Sequence, residues 1–354
     1  MGRARRTVAR PARARHVGRR NPARPVTAHR IDVHAHDYPT TYLEAITAHG
    51  EGLTHYTRDD GRLVVKQDDA VALTVPQPLP TVEERVRRMD ESGVRTQVLS
   101  ISAPSVYLLP DSMRVSVAAD VNDRFVDVAR RQPGRFRVFA TVPLPDVGAA
   151  IDELERCAHF PEVVGVFLCS TVARRSLDDD LFEPFWDYLS QRKSVVFVHP
   201  SVACCTDGLT TFALSLSVDY FAETTLAITR LTYSGVFERY PGTRWIFSHM
   251  GGSLPMLVNR LDNYYRQFPE CQERLHRLPT EVIRGLYFDT ATSHVPAIRC
   301  AIDSLGSDRL LFGTDYPHVP GGMAAFVDAL GSCGLGSPAL ADIESRTAAA
   351  LLGL

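Results

Sequence analysis

Ile31-Asp32-Val33-His34-Ala35-His36 is a short apolar run carrying two histidines two residues apart. Such a run reads as a β-strand, on which residues i and i+2 project from the same face. His34 and His36 therefore face one way and can grip one cation from one side. Imidazole donors in that arrangement suit a divalent metal, zinc first and manganese as the alternative. The pair gains meaning only if further ligands follow at equivalent places downstream.

Similar runs recur along the chain. Strands are expected at 31–35, 94–101, 136–141, 163–168, 194–198, 244–248, 286–289 and 309–313, with amphipathic helical stretches between them. The helical stretches are 81–92, 112–132, 147–159, 180–192, 219–239, 254–267, 295–304 and 322–331. The first opens on Thr81-Val82-Glu83-Glu84, a capping box, and stops at Gly93. About eight strand–helix units predict a (β/α)8 TIM barrel. A doubly wound open sheet is the competitor, but no Gly-x-Gly-x-x-Gly follows the first strand. Residues 50–80 fit no unit and predict a small insertion after strand 1, with a turn at Asp59-Asp60-Gly61 and a hairpin strand at Arg62–Lys66.

The composition is ordinary for a globular chain, 45% hydrophobic and 23% charged over 354 residues. The net charge of −2 hides an asymmetry. Residues 1–25 hold nine arginines and no acid, so the remainder is acidic. A basic arm for nucleic acid or targeting is one reading of that segment, and a disordered arginine-rich leader is the other. The second is preferred, because prolines 11, 22 and 25 break it and it has no secretory apolar core. The working domain is then expected at 26–354, with no nucleic-acid partner. No apolar run approaches the ~18 residues of a membrane span. Seven scattered cysteines without a Cys-x-x-Cys point to reduced thiols and a cytoplasmic protein.

Three more expected strands end in polar residues. The fifth runs into His199-Pro200, the sixth into His249-Met250-Gly251-Gly252, and the eighth into Thr314-Asp315-Tyr316-Pro317. In a barrel the carboxyl ends of all strands open onto one face, where active sites lie. Each residue alone has a plain structural reading: His199 or His249 as a hydrogen-bonded strand-end histidine, Asp315 as a helix cap. Four such residue sets at strand carboxyl ends predict a site.

The order His-x-His, His, His, Asp on strands 1, 5, 6 and 8 resembles the amidohydrolase superfamily. More closely, the chain is similar to the decarboxylase branch that includes the 2-amino-3-carboxymuconate-6-semialdehyde decarboxylases. The resemblance rests on Arg85-Val86-Arg87-Arg88-Met89-Asp90, Gly93–Ser100, Phe197-Val198-His199-Pro200, Ala222-Glu223-Thr224-Thr225, Gly235–Pro241 and Gly313-Thr314-Asp315-Tyr316-Pro317. It runs from about residue 30 to the C-terminus.

The resemblance implies one divalent metal held by His34, His36, His199 and Asp315, with His249 as general base and acid and Asp315 as a proton relay. Strand 4 ends without a lysine, which implies a mononuclear site. It also implies a small carboxylic acid substrate bound by Arg85, five residues before Asp90, and by Arg260 of the neighbouring subunit in a homodimer. The implied reaction is a non-oxidative decarboxylation of an aromatic or unsaturated, muconate-like acid. The alternative is hydrolysis of a lactone, ester or amide on the same site, and the third reading is a non-catalytic binding protein. The loops after strands 2, 5 and 8, where His318 lies, are expected to set the substrate, and His294 and His318 are read as loop histidines.

Overall fold

Eight parallel strands follow one another around a barrel: β1 (Arg30–His36), β2 (Val94–Ser100), β3 (Phe136–Thr141), β4 (Val163–Cys169), β5 (Val195–His199), β6 (Arg244–Phe247), β7 (Tyr287–Asp289) and β8 (Leu310–Leu311). The computed structural model describes residues 29–203, 206–318 and 321–354. The arginine-rich leader expected at 1–25 lies outside the described residues. Each strand pairs in parallel with the next in sequence. The ring closes between β8 and β1: Val33 N–H donates to the Phe312 carbonyl at 3.0 Å, His36 N–H to that of Tyr316 at 2.7 Å, and Ala35 bridges Tyr316. The fold is a (β/α)8 TIM barrel.

The strands form where the sequence is apolar on both faces, as strands covered inside and outside by side chains must be. β5 is Val-Val-Phe-Val-His and every residue of it is buried. The helix Val82–Ser92 begins as its capping box dictates. Thr81 Oγ1 accepts from the Glu84 N–H at 3.2 Å, and Glu84 Oε2 accepts from the Thr81 N–H at 3.0 Å. Gly93 ends it with φ 66°, a left-handed turn that glycine adopts without strain.

Two expectations change in detail. The eighth strand is shorter than 309–313, because the Phe312 N–H leaves the ladder to bond Ile343 O near the C-terminus. The insertion is a full antiparallel sheet of Leu53–Thr57, Leu63–Gln67 and Ala70–Val75 rather than a single hairpin strand. Its last turn is Asp68-Asp69, with φ of 48° and 67°. Two consecutive positive-φ residues make the tight turn that right-twisted strands favour, and aspartate tolerates it.

Among the described residues no helix is long and apolar enough to cross a membrane.

Candidate metal centre

β1 delivers His34 and His36 fully buried to the carboxyl mouth of the barrel. His199 ends β5, His249 follows β6, and Asp315 follows β8. The structure brings all five together. His34 Nε2 and His36 Nε2 each lie 3.3 Å from Asp315 Oδ1, and His249 Nε2 lies 3.6 Å from Asp315 Oδ2. The His199 ring centre is 5.2 Å from that of His34 and 4.9 Å from that of His36.

Outer contacts fix which ring nitrogen carries the proton. His34 Nδ1 donates to Asp289 Oδ2 at 2.6 Å, His36 Nδ1 to the Ile101 carbonyl at 3.1 Å, and His199 Nδ1 to the Pro200 carbonyl at 2.8 Å. The neutral rings of His36 and His199 then turn a bare Nε2 lone pair inward, and His34 does the same once a cation takes the place of its second proton. His34 Nε2 and His36 Nε2 stand only 3.0 Å apart, two acceptors face to face beside Asp315 Oδ1, a buried oxygen with no hydrogen-bond partner. Such a convergence is repulsive unless a proton or a metal cation sits in it. Imidazoles oriented by carboxylate and carbonyl acceptors are the usual support of a metal site. Ligand atoms of His34, His199, His249 and Asp315 all lie within 4.8 Å of one another, and His36 shares Asp315 with His318, so the donor set fits a divalent ion among His34, His36, His199 and Asp315, with His249 beside it.

The electrostatics agree. Burial pushes His36 down to about 3 and His199 well below the usual imidazole range, so both stay neutral and able to ligate. Burial opposes charge on His34 too, but the carboxylates of Asp289 and Asp315 outweigh it and raise the ring to about 10. A site that draws a proton so strongly is one that draws positive charge. Asp315, despite its burial, is held well below the carboxylate range by His34, His249 and His36.

Asp289 is the residue that sequence reasoning missed. Besides His34 it accepts the backbone N–H groups of His249 and Ala291, each at 2.9 Å. It ties β1, β6 and β7 into one unit. Its signal was available, since it closes the seventh expected strand. Asp32 does the same between β1, β2 and β8. It accepts from Gln97 Nε2 at 2.8 Å and from the Thr314 N–H and hydroxyl at 3.0 and 2.6 Å. Burial raises it to about 6 even so.

The backbone bends sharply at the same places. His249, Met250 and Asp315 have φ of 51°, 57° and 55°. Positive φ at such residues costs about 1–3 kcal/mol each and persists only where surroundings enforce it. Here Asp289 holds the His249 N–H and the His34 carbonyl holds the Asp315 N–H at 2.8 Å. Gly313 lies where a Cβ would sit 2.9 Å from that of Asp289 and 3.0 Å from that of His34, so only glycine lets β8 approach β1 this closely.

Arg85 and Arg260 are placed differently. Arg85 is 2% exposed and is not among the residues lining the cavity above the cluster. Its Nη2 donates to the His36 carbonyl at 2.7 Å and lies 3.3 Å from Asp37 Oδ1, while the guanidinium stacks over Tyr316 at 4.8 Å. It braces the end of β1 from behind. Arg260 is exposed on the helix Val258–Gln267, bonded to the Tyr264 hydroxyl at 2.9 Å. His318 joins the cavity wall, whereas His294 is an exposed residue before the helix Val295–Leu305 and does not.

The cavity holds about 280 Å³. Ser102, His199, Leu216, Tyr220, Phe221, His249, Ala291, Asp315 and His318 line it from the barrel, and Ala72, Leu73 and Thr74 from the insertion.

The family described as amidohydrolase matches residues 31–354. The 6-methylsalicylic acid decarboxylase of Penicillium expansum is 30% identical over 296 residues, 82% of this chain and 86% of the fungal one. The 2-amino-3-carboxymuconate-6-semialdehyde decarboxylase of Dictyostelium discoideum is 25% identical over 294 residues, 81% of each chain. A dihydroxybenzoic acid decarboxylase from Polaromonas sp. JS666, solved with manganese and the inhibitor 2-nitroresorcinol, superposes with a TM-score of 0.77 at 23% identity, over 93% of this chain and 98% of that one. The chain belongs to the amidohydrolase family, in its decarboxylase branch.

Proposed function

We propose that this protein is a metal-dependent, non-oxidative decarboxylase of an aromatic or unsaturated carboxylic acid, a carboxy-lyase that needs no organic cofactor. The observation that carries it is the convergence of three bare Nε2 lone pairs and Asp315 at the base of one small cavity, with His249 alongside.

One divalent cation per subunit completes the site. Three imidazoles favour Zn²⁺, and likeness to a manganese-bound relative makes Mn²⁺ the alternative. When bound, such an ion supplies the positive charge that gathers substrate oxygens and stabilises the negative charge built up as CO₂ leaves. His249 then gives a proton to the carbon that lost CO₂. Asp315 Oδ2, 3.6 Å from its Nε2, steadies the charged ring before transfer. The Phe221 ring, centred 5.6 Å from that of His249 and tilted 32°, offers a flat apolar wall for an aromatic substrate. Arg85 enters through the strand it braces.

Arg260 is proposed to act across a homodimer, reaching the partner's site from its exposed helix. Met256, Tyr264 and Phe268 lie exposed on the same segment, as an unpaired subunit face would leave them. Sedimentation of the purified protein tests this, and a monomer at micromolar concentration would sink it. The scattered thiols support a cytoplasmic location.

Metal analysis combined with CO₂ release across hydroxybenzoates and muconates tests the reaction. Stoichiometric metal and CO₂ from at least one acid are expected. Cleavage of lactones or esters with no CO₂ from any acid would replace this reading with a hydrolase.

A further inference from the structure

Side chains of the barrel hold the inserted sheet over the mouth of the metal centre. Along the strand Ala70–Val75, Ser215 Oγ donates to Val71 O at 2.7 Å, the Tyr220 hydroxyl to Ala72 O, and His318 Nδ1 to Thr74 O at 3.0 Å. Thr74 and His318 both line the cavity. The neighbouring strand Leu63–Gln67 runs antiparallel to this one, with Val64 opposite Thr74 and Leu63 opposite Val75. Arg62 stands immediately before it, at the end of the sheet that His318 holds. A turn fixes its backbone there. Its N–H donates to Asp60 Oδ1 at 3.2 Å, and its carbonyl accepts from the Arg58 N–H at 2.8 Å.

The Arg62 side chain has no such anchor. The other cations of the insert are engaged: Arg58 lies 3.2 Å from Asp60 Oδ2, and Lys66 stands over the Tyr56 ring at 6.0 Å. The Arg62 guanidinium makes no hydrogen bond or ion pair with any described residue, although the residue is half-buried. A half-buried cation without an acid gives up hydration and gains nothing for it within the chain, and an arriving anion reverses that loss. The charge also reaches the cavity wall. Burial is the main cause that holds His318 below the usual imidazole range, and the charges of His34 and Arg62 add to it, against Asp315 and the bond to Thr74. Among the described residues lining the cavity there is no lysine or arginine, and Arg85 is committed to the backbone of β1. An acid entering beside the insert therefore meets the field of Arg62 before it meets the metal centre.

We propose that Arg62 is the anion-capturing residue at the rim of the metal cavity: its guanidinium takes a carboxylate oxygen of the entering acid and raises the occupancy of the site, while the metal centre and His249 carry the chemistry. The role is one of binding and not of bond breaking, so it belongs in KM and leaves kcat unchanged. It is distinct from the role proposed for Arg260, which needs a second subunit. The charge of the substrate, and with it this proposal, rests on the decarboxylase reading above.

The test uses the zinc-loaded full chain and two probes of one shape, benzoate and its uncharged counterpart benzamide, titrated by calorimetry. Benzoate lacks a ring hydroxyl to take up charge as CO₂ leaves, so it reports binding without turnover. Arg62→Gln should weaken benzoate about five- to tenfold at low salt and leave benzamide unchanged. Arg62→Lys should recover most of the benzoate affinity, because the charge is kept. Raising NaCl to about 0.5 M should shrink the difference between Arg62→Gln and wild type to about twofold or less. For whichever acid releases CO₂, Arg62→Gln should raise KM and hold kcat within about twofold. Benzoate affinity unchanged in Arg62→Gln overturns the proposal. So does equal weakening of benzoate and benzamide, which would mark a change of shape rather than of charge. A fall in kcat with KM unchanged overturns it by moving Arg62 to the chemistry. Loss of the preference for benzoate in Arg260→Ala alone overturns it by placing the capture on the partner subunit. Release of CO₂ from none of a panel of acids, with benzoate still weakened in Arg62→Gln, removes the decarboxylase reading and leaves Arg62 its anion.

Discussion

The floor of the site and its wall are built by different rules. On the floor, His34, His36, His199 and Asp315 sit on barrel strands or directly after them, and each is fixed by a second group: Asp289, Ile101 O, Pro200 O and the His34 carbonyl. On the wall, Ala72, Leu73 and Thr74 belong to an inserted sheet held by single side-chain bonds from Ser215, Tyr220 and His318. The floor is fixed by bonds within the barrel ring, while the wall is held by the apolar packing of Val65, Ala70, Ala72, Leu73 and Val75 and by those edge bonds. A barrel can therefore keep one chemistry on its floor while its inserted wall changes the substrate.

Five experiments probe that contrast, beginning where the effect should be largest. Stripping the metal with a chelator should abolish turnover, and restoring Zn²⁺ or Mn²⁺ should recover it. His249→Ala in the loaded protein should lower kcat by about 10²–10⁴-fold while metal content stays the same. A fully active His249→Ala would dissolve the distinction between floor and wall, since the floor would then lack its acid.

Next comes the layer behind the ligands. Asp289→Asn should weaken metal binding about 10–100-fold, read by competition with a chromogenic chelator. The same substitution should leave the substrate ranking unchanged, because Asp289 bonds His34, His249 and Ala291 and no residue of the insert.

Arg85→Ala should destabilise the fold by about 2–4 kcal/mol in urea titration, since it strips the His36 carbonyl and Asp37 of a buried partner. Arg85→Lys should recover only part of this, as an ammonium cannot stack and fork as guanidinium does. Unchanged stability with a raised KM would instead move Arg85 to the substrate side.

The smallest effect concerns Glu223, on the helix that carries Tyr220 and Phe221. Burial, with Asp219 adding, raises it from 4.5 to about 7, and its contact is Ser170 Oγ at 3.3 Å. The folded chain keeps a proton there that the unfolded chain releases above about 4.5. Its contribution to stability therefore falls as pH rises from about 4.5 to about 7. Glu223→Gln removes that loss. Its melting temperature relative to wild type should be a few degrees higher at about pH 8 than at about pH 4.5. No such difference would show that the group ionises freely.

Most of the floor was legible because a barrel turns strand ends into coordinates. His199, His249 and Asp315 each close an apolar run, and the run alone says where the side chain goes. Asp289 closes one as well, but a lone aspartate before Thr290-Ala291-Thr292 has the look of a turn residue, and its role depends on His34, far away in the chain. The wall was harder to read. Asp68-Asp69 carries no glycine to announce a hairpin, so the strand Ala70–Val75 was not anticipated. Arg85 shows a further limit. Its place in a motif reveals that it matters, while only packing reveals that it faces the backbone of β1.

The seam between β1 and β8 has one more consequence. His34 and His36 lie on its first side and Asp315 on its last, and the two sides are joined by a handful of backbone bonds and by Asp32, which accepts from Thr314. Three of the four donors come into register only when the ring has shut, so an incomplete or opened barrel offers no complete chelate. Binding of a cation there would favour the closed ring over an open one. Amide protons along Arg30–His36 and Leu310–Tyr316 should gain the most protection from hydrogen exchange when the ion arrives, ahead of strands on the far side of the barrel.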